Sequence, residues 1–313
     1  YSFLKKLLSR LSEGIDMQAD SLNRNENFIF ISNHRDIVLD AALLSEMMVD
    51  NGFTKTAELC TGDNLLIVPW IKKLVRLNKG IIVKRALGLR EQLVSSKELS
   101  RYIHFVITQK HDNVWIAQRE GRAKDSNDMT QESIIKMLSM GGTGSFKESL
   151  TDLNIVPLAI SYEFDPCDFL KAQEFQLKRD NPDYKKSQRE DLTHMSMGIY
   201  GKKGHVHFTF GTPIANEISK ITDPNKNVQV QAIADIIDKQ IHLNYKLWPG
   251  NYLAYDLLNE TDKFADKYTT DDKSNFLHYV NEHISRLEAP DRDFIYETIL
   301  KMYANPVSNM LKY

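Results

Sequence analysis

Cysteine is scarce. The chain of 313 residues holds only Cys60 and Cys167, too few for a disulfide framework and in keeping with a reducing cytoplasm. Long apolar runs are missing too: none approaches the roughly 18–20 residues of a membrane-spanning helix, so no such helix is expected. Nor is there a surplus of one charge. Forty Lys and Arg against 42 Asp and Glu give a net charge of −2, which argues against a protein that coats nucleic acid. Repeats and low-complexity segments are absent. What remains, at 42% hydrophobic and 26% charged residues, is the composition of one large globular domain or two modest ones. The chain opens at Tyr1, so targeting is not read from this end.

The start, Phe3 to Leu11, has helical apolar spacing with basic residues opposite, and predicts an N-terminal helical segment over residues 1–25. From residue 26 short apolar runs alternate with helical stretches. Strands are expected at Phe28–Ile31, Ile81–Val83, Val114–Ala117, Ile155–Ile160 and Val206–Phe210, with helices near Val38–Asp50, Ile71–Leu77, Gln92–Gln109 and Gln131–Leu138. That alternation predicts an α/β domain over residues 26–216, a mostly parallel central sheet flanked by helices. The polar stretch Lys171–Lys203 reads as an excursion before the last strand. Residues 217–313 read as a helical C-terminal region packed on the core, broken at Trp248-Pro249-Gly250.

In open α/β sheets, ligands bind beyond the carboxyl ends of the strands. Three such ends carry polar clusters: Asn33-His34-Arg35-Asp36 with Asp40 following, Lys84-Arg85, and Gln118-Arg119-Glu120-Gly121-Arg122. A histidine takes up a proton near neutral pH, and a carboxylate fixes its tautomer. No Gly-x-Ser-x-Gly elbow is present, so the hydroxyl to be activated belongs to the substrate. Arginines suit phosphate, offering paired donors and a permanent charge. Each cluster alone also has an ordinary reading as a helix cap or surface turn; their coincidence at three strand ends points to base chemistry on an anionic substrate.

These blocks resemble the glycerolphosphate acyltransferase superfamily, the bacterial glycerol-3-phosphate and 1-acylglycerol-3-phosphate acyltransferases. The resemblance rests on four ordered segments: Asn33–Asp40, Gly80–Arg85, Arg119–Arg122 and Ile155–Glu163. It departs from the family in two places. His34 and Asp40 are separated by five residues rather than four, so either Asp40 or Asp36 partners the histidine. The third block has Gln118-Arg119 in place of Phe-Pro and one residue fewer before Arg122.

The resemblance implies that His34 acts as general base with Asp40 or Asp36, on a hydroxyl of glycerol 3-phosphate or 1-acylglycerol 3-phosphate. The acyl group would come from acyl-CoA or acyl carrier protein, with no further cofactor and no metal. Arg85 and Arg122 would hold the acceptor phosphate, with Arg119, Arg35, Glu120 and Gly121 shaping its site. Two other readings stay open: a lyso-lipid acceptor without phosphate, and a non-catalytic lipid-binding relative. Separately, the apolar Leu65–Ile71 with Trp70 leads into Lys72, Lys73, Arg76 and Lys79, and residues 72–90 contain no acid. Such a strip suits the anionic inner face of a membrane, an acidic carrier protein or the phosphates of coenzyme A. His205 and His207 alternate on a strand, but the sequence places no Cys or acid beside them, and no zinc is expected.

Overall fold

The computed structural model describes residues 11–63, 66, 69–85, 87–288 and 290–313, without the side chains of residues 70, 71 and 74. Its strands are β1 (Gly14–Gln18), β2 (Ile29–Ser32), β3 (Ala57–Gly62), β4 (Gly80–Val83), β5 (Asn113–Ala117), β6 (Ile155–Tyr162) and β7 (His205–Phe210). Its helices are α1 (Leu39–Asp50), α2 (Pro69–Leu77), α3 (Leu89–Thr108), α4 (Glu132–Leu138), α5 (Phe146–Thr151), α6 (Asp168–Asp180), α7 (Gln188–Tyr200), α8 (Ala215–Ser219), α9 (Lys226–Leu243), α10 (Pro249–Asn259), α11 (Thr270–Ser285) and α12 (Arg292–Met310).

The strands form one sheet in the order β1-β7-β6-β2-β5-β3-β4. From β6 to β4 all neighbours are parallel, β7 is antiparallel to β6, and β1 is parallel to β7. The alternation along β2 and the residue before it explains the layers. Ile29 and Ile31 join Val114, Ile116 and Ile155 under α3, α4 and α9. Phe28 and Phe30 join Trp115, Val156 and Leu158 under α1. A sheet buried on both faces reads as unbroken apolar runs, which is why its central strands stand out in the sequence. A further cluster, with Phe169, Leu253, Phe276, Val280 and Ile299, ties α10, α11 and α12 to α6.

Three expectations need correction. Within the supposed N-terminal helix, Gly14–Gln18 is an edge strand registered on β7, from Gly14 opposite His205 to Gln18 opposite Thr209; Phe3–Arg10 lie outside the described residues. Strand β3 was not expected, because Glu58 interrupts its short apolar run. The supposed excursion at 171–203 is occupied mostly by α6 and α7. The second of these opens on a capping box, in which the Ser187 side chain accepts the Glu190 N–H and Glu190 accepts the Ser187 N–H. Among the described residues no helix is long and apolar enough to cross a membrane.

Candidate active site

Strand β2 ends at Ser32 and α1 begins at Leu39, so Asn33–Val38 form a turn beyond the sheet edge. His34 lies in that turn, its ring edge-on to Trp115 with centroids 5.7 Å apart. Trp115 is itself held by its Nε1–H, which donates to Ser32 Oγ at 2.9 Å. The His34 Nδ1 is 2.7 Å from Asp40 Oδ2. The same oxygen accepts the main-chain N–H of Arg35 at 2.7 Å and of Asp36 at 3.1 Å. The Tyr162 hydroxyl donates to Asp40 Oδ1 at 3.1 Å. Burial, then the Asp40 and Asp36 charges, push the Tyr162 phenol well above its ordinary pKa, so it remains a donor. Asp40 is fully buried and sits in the first turn of α1, where the helix dipole favours a carboxylate.

Asp36 has another task. Its Oδ1 accepts the N–H groups of Val38 and Leu39 at 2.8 and 2.7 Å, capping the entrance to α1. Burial first, and Asp40 second, raise its pKa. The residue of extra length between His34 and Asp40 is thus absorbed in the turn, and Asp40 is the carboxylate that meets the ring. Gly198 of α7 lies over this turn; a Cβ there would come within 1.9 Å of Asp36 Oδ2.

The arginines separate. Arg85 stands at the end of β4, its main-chain N–H on Asp63 Oδ1 at 3.2 Å and its Nε 3.8 Å from Glu120 Oε1. The second and third blocks therefore do converge. Gly121 turns there at φ +71°, and the Glu120 N–H donates to Gln131 Oε1 at 2.7 Å. Arg122 faces inward instead, with its charge acting on Asp36, Asp165, Cys167 and His194. Its Nη1, like Arg119 Nε, is buried without a hydrogen-bond partner among the described residues. Arg35, expected at the substrate, is directed into the protein, where its Nη2 meets Asp128 Oδ2 at 2.6 Å. Burial pushes the Cys167 thiol up to about 12, which makes it a poor nucleophile.

Lined by chain neighbours of Asp40, though not by the dyad itself, is an apolar cavity of about 320 Å³, within the roughly 300–1,000 Å³ of small-molecule sites. Val38, Ala41 and Ala42 form one wall, Leu59 and Val75 the floor, and Leu192, Met195 and Ile199 of α7 the facing wall. Sequence reasoning missed that facing wall, although the capping box and the spacing of these three residues signalled a helix. Asp128 and Gly198 had no comparable signal.

Lys72, Lys73, Arg76 and Lys79 are exposed along and just after α2, the last with its Nζ 3.5 Å from Asp112 Oδ2. The Trp70 side chain and most of the apolar run before it lie outside the described residues. Large apolar residues are exposed here and on α3: Leu77 is 82% exposed and Leu89 90%, with Leu93 and Val94 also open to solvent. The strand histidines do acquire acidic neighbours, contrary to expectation. His205 Nδ1 is 2.7 Å from Glu163 Oε2 and His207 meets Asp16, while Glu13, Glu163 and His205 present ligand atoms within 4.8 Å of one another.

Residues 15–161 match the family described as Acyltransferase. No curated protein matches the chain significantly. Among solved structures it is similar to the 1-acyl-sn-glycerophosphate (LPA) acyltransferase PlsC from Thermotoga maritima, at 11% identity, over 75% of this chain and 74% of that one, with a TM-score of 0.41.

Proposed function

From the match of residues 15–161 to the acyltransferase family, we propose that the chain moves a fatty acyl group from acyl-CoA or acyl carrier protein to a hydroxyl of glycerol 3-phosphate or 1-acylglycerol 3-phosphate. The observation that carries this reading is the His34–Asp40 pair at 2.7 Å, with an apolar cavity walled by the chain neighbours of Asp40. Asp40 fixes the tautomer, leaving His34 Nε2 to accept the acceptor's hydroxyl proton. The oxygen attacks the thioester carbonyl, the C–O bond forms as the C–S bond breaks, and the proton passes from His34 to the leaving thiolate. The cavity takes the acyl chain. Arg85, with Glu120 beside it, meets the acceptor phosphate, and Arg122 and Arg119 approach from the interior.

Lys72, Lys73, Arg76 and Lys79 hold the enzyme on the anionic inner face of the membrane. The exposed Leu77, Leu89, Leu93 and Val94 support that placement, each nearby basic residue contributing about 1 kcal/mol at such a surface. One observation favours a second acceptor class. The Arg122 charge acts on the buried Asp36 and Asp165, which suits a lyso-lipid hydroxyl without phosphate.

The test is thiol release from palmitoyl-CoA and palmitoyl carrier protein, with glycerol 3-phosphate, lysophosphatidate or no acceptor, on anionic and on neutral vesicles. Acceptor-dependent release is expected, faster on anionic vesicles and reduced about 10²–10⁴-fold in His34→Ala. Lipid binding without release, unchanged in His34→Ala, would identify a binding protein instead.

A further inference from the structure

Asp128 belongs to the irregular loop between β5 and α4 and is fully buried. Its Oδ2 accepts three side-chain donors: Asn33 Nδ2 at 3.3 Å, Arg35 Nη2 at 2.6 Å and the Tyr245 hydroxyl at 2.6 Å. Its main-chain oxygen is 2.8 Å from His242 Nε2. Two of these donors are the residues on either side of His34. The contacts of Asn33, His34 and Arg35 alternate from one side of the chain to the other. The His34 ring accordingly lies against Trp115, on the core face shared with α1, while Asn33 and Arg35 reach Asp128 on the face covered by α9.

We propose that Asp128 is a positioning residue for His34, gripping the side chains on both sides of the base from the opposite face of the sheet. Asn33 is also fixed to β6, donating to the Ile160 carbonyl at 2.8 Å and accepting the Ile160 N–H at 2.7 Å. Lys171 Nζ donates to the Arg35 carbonyl at 3.1 Å. The residue before the base and the residue after it are thus each held by several partners, and Asp128 is the side chain common to both. A buried carboxylate is costly unless paired and hydrogen-bonded. Here the bonds that offset that cost are the ones that set where the imidazole stands. Tyr245, just beyond α9, ties the C-terminal part of the chain into the same arrangement.

The proposal rests on the catalytic reading of His34, and its test separates the two. Asp128→Asn and Tyr245→Phe are made in the full chain. They are followed by thiol-release kinetics and by the low-field proton resonance of the His34 ring N–H facing Asp40, assigned through its loss in His34→Asn. Misplacing a base by about 1 Å costs on the order of 10²-fold. Asp128→Asn is therefore expected to lower kcat by about 10–100-fold with little change in acceptor KM, and to broaden the resonance. Tyr245→Phe, which keeps the Arg35 pair, should show a smaller loss in the same direction. Unchanged kcat and an unchanged resonance in folded Asp128→Asn would overturn the proposal, as would an effect confined to KM. If Asp128→Asn does not fold, Tyr245→Phe decides on the same criteria. If the wild-type chain shows no turnover, the resonance alone decides.

Discussion

Asp36 and Asp40 lie four residues apart, yet one caps a helix and the other holds a ring. Asp40→Asn removes the acceptor charge beside the His34 Nδ1 and is expected to lower kcat by about 10²–10⁴-fold. Asp36→Asn keeps an oxygen for the Val38 and Leu39 N–H groups and removes the charge that burial disfavours, so kcat should fall no more than about threefold. Steady-state kinetics on both variants checks this, and equal losses would dissolve the division of labour. At this scale the sequence offered His34 as the candidate base and left its carboxylate neighbour open. At about 100° per residue, neither spacing aligns a carboxylate with a histidine that precedes the helix, and only the turn geometry decides. Arg35 was misplaced for a related reason: residue type suggested substrate, whereas alternation along the segment turned it inward to Asp128.

Helix α7 is where element-level reading fell short. Its polar composition concealed a short apolar face, because that face lines a cavity and adds little to the main core. Strand β1 escaped for a different reason: five residues at a sheet edge, three half-buried and two exposed, give almost no apolar signal. The central strands, buried on both faces, were legible to within one or two residues. Gly198 shows how closely α7 is fitted to the site, since any Cβ there meets Asp36. Gly198→Ala should cost about 1–3 kcal/mol by overpacking. It should also lower kcat more than Asp36→Asn does, because the helix must move away from the turn. Urea unfolding with an unchanged m-value, read alongside kcat, tests both parts.

Across the whole molecule, α9 is joined to the β5–α4 loop by Asp238, whose Oδ1 accepts from the Thr130 N–H at 2.8 Å and hydroxyl at 2.6 Å. Burial raises its pKa from 3.8 to about 6, against the opposing effect of those bonds. A carboxyl with a raised folded pKa imposes no penalty where both states are protonated. Its cost grows as pH rises from about 4 to 6 and is constant above that. Asp238→Asn should therefore match the wild type near pH 4 and exceed it by about 2–3 kcal/mol at pH 7. Urea midpoints at the two pH values measure the difference; a gap independent of pH would refute this origin. Alternation of strands and helices announced the α/β architecture. The reversed direction of β7 and β1 is a matter of non-local pairing, on which local periodicity is silent.

Helix α1 carries Asp40 and, in the next two positions, the cavity-lining Ala41 and Ala42. On the proposed reading, in which the cavity takes the acyl chain, selection for a longer or shorter chain cannot reshape that wall without disturbing the carboxylate beside it. Leu192, Met195 and Ile199 face the same space from a helix that contributes neither member of the dyad. Divergence among descendants of this chain should accumulate on α7, leaving α1 nearly frozen, so preference drifts on one side of the cavity while chemistry is inherited on the other.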